Sequence, residues 1–198
     1  MRWTDLLARL RRPLTVTLSV AVAAGAFFPV RGDVPAAPVV RRVIATPVPV
    51  AKFTPVRLEI PKIGVDNPVV PVGTLTNGQM QSPATAEDVG WWAGRKAGDG
   101  NVLLDGHHDW NGKVGSFYRL PELKPGDEVV VRGDSPKERL TYEIVWVKNY
   151  DRNIDARDLL GNKKGTQVAT LITCGGTFDT IARTHRERVV ARAKLVSA

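Results

Sequence analysis

Cys174 is the only cysteine in the chain, in the run Thr170-Leu171-Ile172-Thr173-Cys174-Gly175-Gly176. A single thiol excludes an internal disulfide and a cysteine-rich zinc site, so it is either a small buried hydrophobe or a reactive group. The apolar run before it reads as a strand, and the two glycines after it read as the opening of a loop with little side-chain bulk beside the sulfur. A thiol with an ordinary pKa of about 8.5 is only slightly ionised at neutral pH, so a nucleophilic Cys174 needs a base or a cation nearby.

Three histidines are available. His107 and His108 follow Val102-Leu103-Leu104-Asp105-Gly106, at the end of a second strand-like run, and His185 precedes the C-terminal one. Successive side chains of an extended chain point to opposite faces, so only one of His107 and His108 faces a given site. That alternation also argues against the pair chelating a metal. No other His or Cys completes a ligand motif, and no acidic loop suggests calcium. We therefore expect neither metal nor cofactor, with His108 a solvated or pH-sensing side chain. Arg183, Arg186 and Arg188 precede Val189-Val190. The two-residue spacing of Arg186 and Arg188 predicts one shared strand face. A guanidinium there either sits in a solvated ion pair or donates to developing negative charge. Together these residues form a candidate Cys–His–Arg site, each member at a strand end.

The elements that must position them are short strands punctuated by turns. Val56–Ile60 alternates into Pro61, and Val65–Val72 is interrupted by Pro68 and Pro71, which predicts an edge or bulged strand. Asn101–Asp105, Glu128–Arg132 after the Pro125-Gly126-Asp127 turn, Leu140–Val147, Gln167–Thr173 and Arg188–Leu195 complete seven or eight strands. Short helices are expected at Ala84–Val89, Ser116–Leu120 and Asp155–Leu160, the last capped by Asp155. The fold class is mostly β, a closed barrel or sandwich with a few short helices.

The segment over 1–55 reads differently. Arg9, Arg11 and Arg12 precede an uncharged run, Leu14–Val30. The run is just long enough for a membrane span, and the arginines keep its N-terminal flank cytoplasmic. A cleaved signal peptide is the alternative, with small residues at Ala23-Ala24-Gly25-Ala26. Either reading exports the rest of the chain. Prolines at 35, 38, 47, 49 and 55 mark residues 31–55 as a semi-rigid spacer. The expected organisation is thus a membrane or signal-anchor segment over 1–30, a linker over 31–55 and a catalytic domain over 56–198. The formal charge of +8 is concentrated before position 56, where Arg2, Arg9, Arg11, Arg12, Arg31, Arg41, Arg42 and Lys52 face only Asp5 and Asp33. From Val56 onward basic and acidic side chains nearly balance, so no nucleic-acid partner is implied.

On these residues the chain resembles the sortases, cysteine transpeptidases of Gram-positive surfaces. The likeness rests on Leu171-Ile172-Thr173-Cys174-Gly175-Gly176 with Phe178-Asp179, on Gly106-His107 with Asp109, and on Arg186 through Val190. Leu58-Glu59-Ile60-Pro61-Lys62-Ile63-Gly64-Val65 is similar to the family's opening strand and turn, and Val89-Gly90-Trp91-Trp92 to a helix-to-loop passage. The Ile-Thr-Cys-Gly-Gly form is most similar to the class F group of actinobacteria, with class E as neighbour. The resemblance implies an eight-stranded β-barrel. It also implies that Cys174 attacks the Thr–Gly bond of an LPXTG-like sorting signal and forms a thioacyl-enzyme, which an amine of a peptidoglycan precursor or a pilin resolves. His107 would transfer the proton and an arginine would stabilise the oxyanion. The class F register favours Arg186 as that arginine, while a class E-like register favours Arg188. Thr173 and Arg188 are expected to contact the peptide.

Two other functions use the same residues. An exported cysteine peptidase or amidase would employ Cys174 and His107 with water as acceptor, whereas an anchored wall-binding module would hold Cys174 as a structural residue. An L,D-transpeptidase expects a Ser-His-Gly-Cys element that is absent from the chain.

Overall fold

A computed structural model describes residues 50–154, 159, 161 and 166–198. The expected membrane segment, most of the linker and most of the expected helix at Asp155–Leu160 lie outside the described residues. Among the described residues no helix is long and apolar enough to cross a membrane.

Alternation builds the first strand. In β1 (Arg57–Ile60), Leu58 and Ile60 are fully buried while Arg57 faces outward. Burying an aliphatic side chain of this size contributes about 1.5–3 kcal/mol. Pro61 opens a single 3₁₀ turn over Pro61–Ile63, and Gly64, at φ 73°, reverses the chain into β2 (Val65–Val72). A left-handed φ is costly for residues with a Cβ, so glycine is required at that turn. The prolines of β2 are accommodated because the strand changes partner: residues 65–68 pair antiparallel with β1, and Val69–Val72 run parallel to β3 (Val89–Trp92).

β4 (Asn101–Gly106) is followed by a hairpin of two short strands, β5 (Asp109–Trp110) and β6 (Lys113–Val114). Then come β7 (Glu128–Arg132), β8 (Arg139–Asp151), β9 (Val168–Asp179) and β10 (Thr184–Ser197). Eight strands close into one barrel in the order β1-β2-β3-β4-β9-β10-β8-β7, with β7 pairing back onto β1. Leu104, Val129, Tyr142, Leu171 and Ala191 are among the residues that fill its interior. Closure leaves no unpaired sheet edge in the barrel.

The expected barrel with little helix is what forms, with differences in the details. Residues 84–87 are bends, not helix, and Val89–Trp92 is a strand. Residues 116–119 make turns with three-residue hydrogen bonds, Tyr118 N to Gly115 O at 3.1 Å and Leu120 N to Phe117 O at 3.0 Å, leading into a 3₁₀ turn at Leu120–Glu122. Pro121 has no N–H for a continuing α-helix, which limits the run to tight turns. The strand carrying the cysteine does not end at Thr173 but continues to Asp179. Packing also reaches back before Val56. Phe53 is 3% exposed and exchanges two backbone hydrogen bonds with Ala97 at 3.2 and 3.0 Å.

Candidate active site

Cys174 lies on β9, between β4 and β10. On one side Arg188 of β10 is its direct antiparallel partner. On the other side β4 runs parallel to β9, with Leu104 opposite Leu171 and Asp105 opposite Ile172. Continuing that register past the end of β4 brings His107 level with Cys174. Directly paired residues share a face, and so do residues two apart on one strand. Asp105, Ile172, Cys174 and Arg188 therefore project to the same side. All four, with His107, line a groove of about 760 Å³. The parallel β4–β9 ladder thus joins two segments far apart in sequence.

His107 is buried, at 8% exposure, and held on three sides. Its Nε2 is 2.9 Å from the carbonyl oxygen of Pro83. A carbonyl only accepts, so Nε2 carries the hydrogen and Nδ1 is the nitrogen available to take or give a proton. Trp110 stacks on the ring, with centroids 4.6 Å apart and planes at 19°. The backbone is fixed by the segment after β6: Phe117 N donates to His107 O at 3.0 Å and Gly115 N to His108 O at 2.9 Å. Gly115 is required there, because a Cβ at that position would overlap the His107 carbonyl oxygen.

Burial pushes the Cys174 thiol above the ordinary thiol range. The positive charge of Arg188 acts in the opposite direction, the carboxylate of Asp105 adds to the rise, and a hydrogen bond with Thr184 opposes it. Asp105 is itself pushed up to about 6 by burial, against the opposing hydrogen bond from Ser82 and the charges of His107 and Arg188. The thiolate is thus the minor form at neutral pH, which differs from a thiol ionised at rest. Arg188 is anchored through Nη1 to the carbonyls of His185 (3.1 Å) and Glu187 (2.9 Å).

The groove does not contain Arg186. Its side chain is 66% exposed, and its Nε lies 3.5 Å from Asp179 Oδ2. Arg186 and Arg188 are two apart on β10, but only Arg188 lines the groove, while Arg186 reaches out to Asp179. The ladder beside them is also irregular. Gly175 pairs with Glu187 but Phe178 pairs with His185, so β9 takes one more residue than β10 at this point. Gly176 makes that bulge possible at φ 69°. Gly175 has a packing reason as well, since a Cβ there would come within 2.6 Å of Val189 Cγ2. The glycine pair therefore shapes the β9–β10 ladder and does not open a loop.

Thr173 also lies away from the groove. It has the parity of the core residues Ala169 and Leu171 and is 1% exposed, pointing into the barrel. Asp105, Trp110 and the Pro83 carbonyl were not singled out from sequence. For Trp110 a signal was present: Asn111-Gly112 is a two-residue hairpin turn, and both residues have positive φ (49° and 76°).

His108, Asp109 and His185 meet at the rim of the groove, a grouping that does not include His107 and that the sequence does not show. Beyond them the groove has an apolar border that includes Leu75 and Phe178, 43% and 48% exposed. A groove with apolar walls, a central thiol, an imidazole and a guanidinium can hold an extended peptide and attack one of its carbonyls.

Residues 58–196 match the model of the sortase domain family. A comparison with curated proteins found no match. Among solved structures, the chain is similar to sortase C-1 from Actinomyces oris, with 24% identity, TM-score 0.56 and 76% of each chain covered. It is also similar to a lid mutant of sortase A from Corynebacterium diphtheriae, with 22% identity, TM-score 0.56 and 75% and 73% of the two chains covered. For sortase A from Listeria monocytogenes the values are 21% identity, TM-score 0.53 and coverage of 76% and 89%. At these identities the structural likeness carries the fold alone.

Proposed function

The chain belongs to the sortase family, and from that premise we propose that it is a cysteine transpeptidase in which Cys174, His107 and Arg188 act on an LPXTG-like sorting signal. The observation that carries this reading is the placement of Cys174 in one groove between Arg188, its direct strand partner, and His107, beyond the end of the parallel strand.

In this mechanism the Cys174 thiol passes its proton to His107 Nδ1, and the resulting Sγ thiolate attacks the carbonyl carbon between Thr and Gly. Arg188 donates hydrogen bonds to the oxyanion that forms. The C–N bond then breaks, and the leaving amine takes a proton from His107 Nδ1. The product is a thioester on Cys174. An incoming amine loses a proton to His107 Nδ1 as it attacks the thioester carbonyl, and collapse of that intermediate expels the Cys174 thiolate and leaves a new amide. The Pro83 carbonyl and the Trp110 ring keep His107 in the tautomer and orientation this requires. No metal or organic cofactor takes part in these steps.

The acceptor is the amine of a peptidoglycan precursor or a pilin. The Leu14–Val30 run and its flanking arginines support a single-pass anchor with the N-terminus cytoplasmic and the barrel outside, joined by the proline-rich spacer. Ile172-Thr173-Cys174-Gly175-Gly176 supports kinship with the class F group, while Arg188 in the groove fits the class E-like register.

Product analysis tests this reading. The full chain, incubated with a fluorescent LPXTG peptide and an amine acceptor, is expected to yield the amide-ligated peptide, and the Cys174→Ala protein none. Cleavage giving only hydrolysed peptide at every acceptor concentration would favour the peptidase or amidase. No cleavage, with Cys174 as slow to alkylate as a buried structural thiol, would favour the wall-binding module.

A further inference from the structure

We propose that His108, Asp109 and His185 form a binding site for a zinc-type divalent cation at the rim of the groove. The inference goes beyond the acyl-transfer reading and does not depend on it. His108 and Asp109 lie just after β4, while His185 comes from β10, 76 positions beyond Asp109. Both rings turn toward the same carboxylate oxygen: His108 Nδ1 is 2.7 Å and His185 Nε2 2.9 Å from Asp109 Oδ2. The three ligand atoms all lie within 4.8 Å of one another.

The second observation is the hydrogen bonding of His185. Its Nδ1 is 3.0 Å from the carbonyl oxygen of Gly176, which can only accept, so Nδ1 carries a hydrogen. A neutral imidazole then has a bare lone pair at Nε2, and that lone pair faces an anionic oxygen. The contact is attractive only if the ring gains a second proton or a cation stands between nitrogen and oxygen. An imidazole with one N–H fixed by a backbone carbonyl, and its other nitrogen aimed at a carboxylate, has the tautomer and orientation of a metal-binding histidine. The peptide carbonyl of Gly176 is in place because of the bulge in β9.

The geometry fits a small four-coordinate ion. Bonds of about 2.0–2.2 Å separate neighbouring ligand atoms by roughly 3.3 Å, so the two nitrogen–oxygen contacts of 2.7 and 2.9 Å would widen by about half an ångström and the two nitrogens, within 4.8 Å of each other, would close in. Two imidazoles and one carboxylate favour zinc, cobalt or nickel over calcium and magnesium, which prefer all-oxygen sites. The ion would displace the proton on His108 Nδ1, moving that ring to its other tautomer, and leave a coordination position for water. It would tie the segment after β4 to β10 at the mouth of the groove that holds Cys174.

The test uses the untagged full chain carrying Cys174→Ala, which removes the single thiol as a competing ligand. Titration calorimetry with Zn²⁺, and visible absorption with Co²⁺ as reporter, are run on this protein and on its His108→Gln and His185→Gln derivatives. We expect one ion per chain with a Kd tighter than about 10 µM. Each substitution should weaken binding by at least ~10-fold, and millimolar Ca²⁺ should not compete. A Kd weaker than about 10 µM, or binding undiminished in both histidine variants, would overturn the proposal. If His185→Gln fails to fold, His108→Gln decides alone, because that ring is partly exposed and packs against Tyr118 and His185, not in the core.

Discussion

Two arginines two residues apart separate cleanly at the level of single side chains. Arg188 shares a face with Cys174, and Arg186 faces solvent beside Asp179. If Arg188 stabilises the oxyanion, Arg188→Lys should lower kcat by about 10²–10³-fold, since a lysine cannot reproduce the rigid fork of donors. Arg186→Lys should change it by no more than about 3-fold, the scale of an exposed ion pair. Steady-state peptide cleavage by the two variants decides this, and the reverse order would reassign the arginine. Asp105 gives a second expectation at this scale. Its folded pKa of about 6 exceeds the ~3.9 of an unfolded Asp, so the folded chain holds a proton that the unfolded chain releases. Its contribution to stability is full below about pH 4 and is lost as the pH rises through 6. Asp105→Asn should therefore raise the melting temperature relative to wild type more at pH ~7.5 than at pH ~4.5. It should also speed alkylation of Cys174 at neutral pH, because the carboxylate helps hold the thiol up. A stability difference that is flat between the two pH values would contradict this reading.

At the scale of elements, the site depends on one parallel ladder, one antiparallel ladder and a loop. β4 and β10 flank β9, and the segment 115–117 fixes the backbone of His107 and His108 from outside the barrel. Gly115→Ala forces a Cβ into the His107 carbonyl. We expect the resulting displacement of the imidazole to cost about 10²-fold in kcat, with the cooperative thermal transition of the barrel retained. Wild-type kcat in a variant with a wild-type melting curve would show that the loop does not position His107. This scale also marks the limit of what could be read from sequence. The strand at Val56–Ile60 was legible because its burial alternates, and those at Asn101–Asp105 and Glu128–Arg132 because continuous apolar runs, buried throughout, follow turn residues. The continuation of β9 through Cys174 was not, because Gly175-Gly176 also reads as a loop. Only the partner strand reveals a bulge. The tight turns at 116–120 imitate a helix in composition, but Pro121 ends them.

For the whole molecule, closure of the barrel converts distant sequence into one groove. Cys174 and Arg188 lie on neighbouring strands, with His107 just past the end of a third, because β9 sits between β4 and β10. The pattern of short strands and turn residues foretold the mostly β fold. The separate constellation of His108, Asp109 and His185 was hidden, since it depends on the hairpin β9–β10 folding back over the end of β4. The positive charge is concentrated before position 56, and from Val56 onward basic and acidic side chains nearly balance. In the proposed reaction Cys174 carries the acyl group from one amine to another. This is tested most directly by intact-mass analysis of the full chain mixed with LPXTG and LAXTG peptides, followed by addition of an amine. We expect a thioacyl adduct that maps to Cys174, decays on amine addition as ligated peptide appears, and is absent from Cys174→Ala. Ligated product from the Cys174→Ala protein, or an adduct mapping to any other residue, would contradict it.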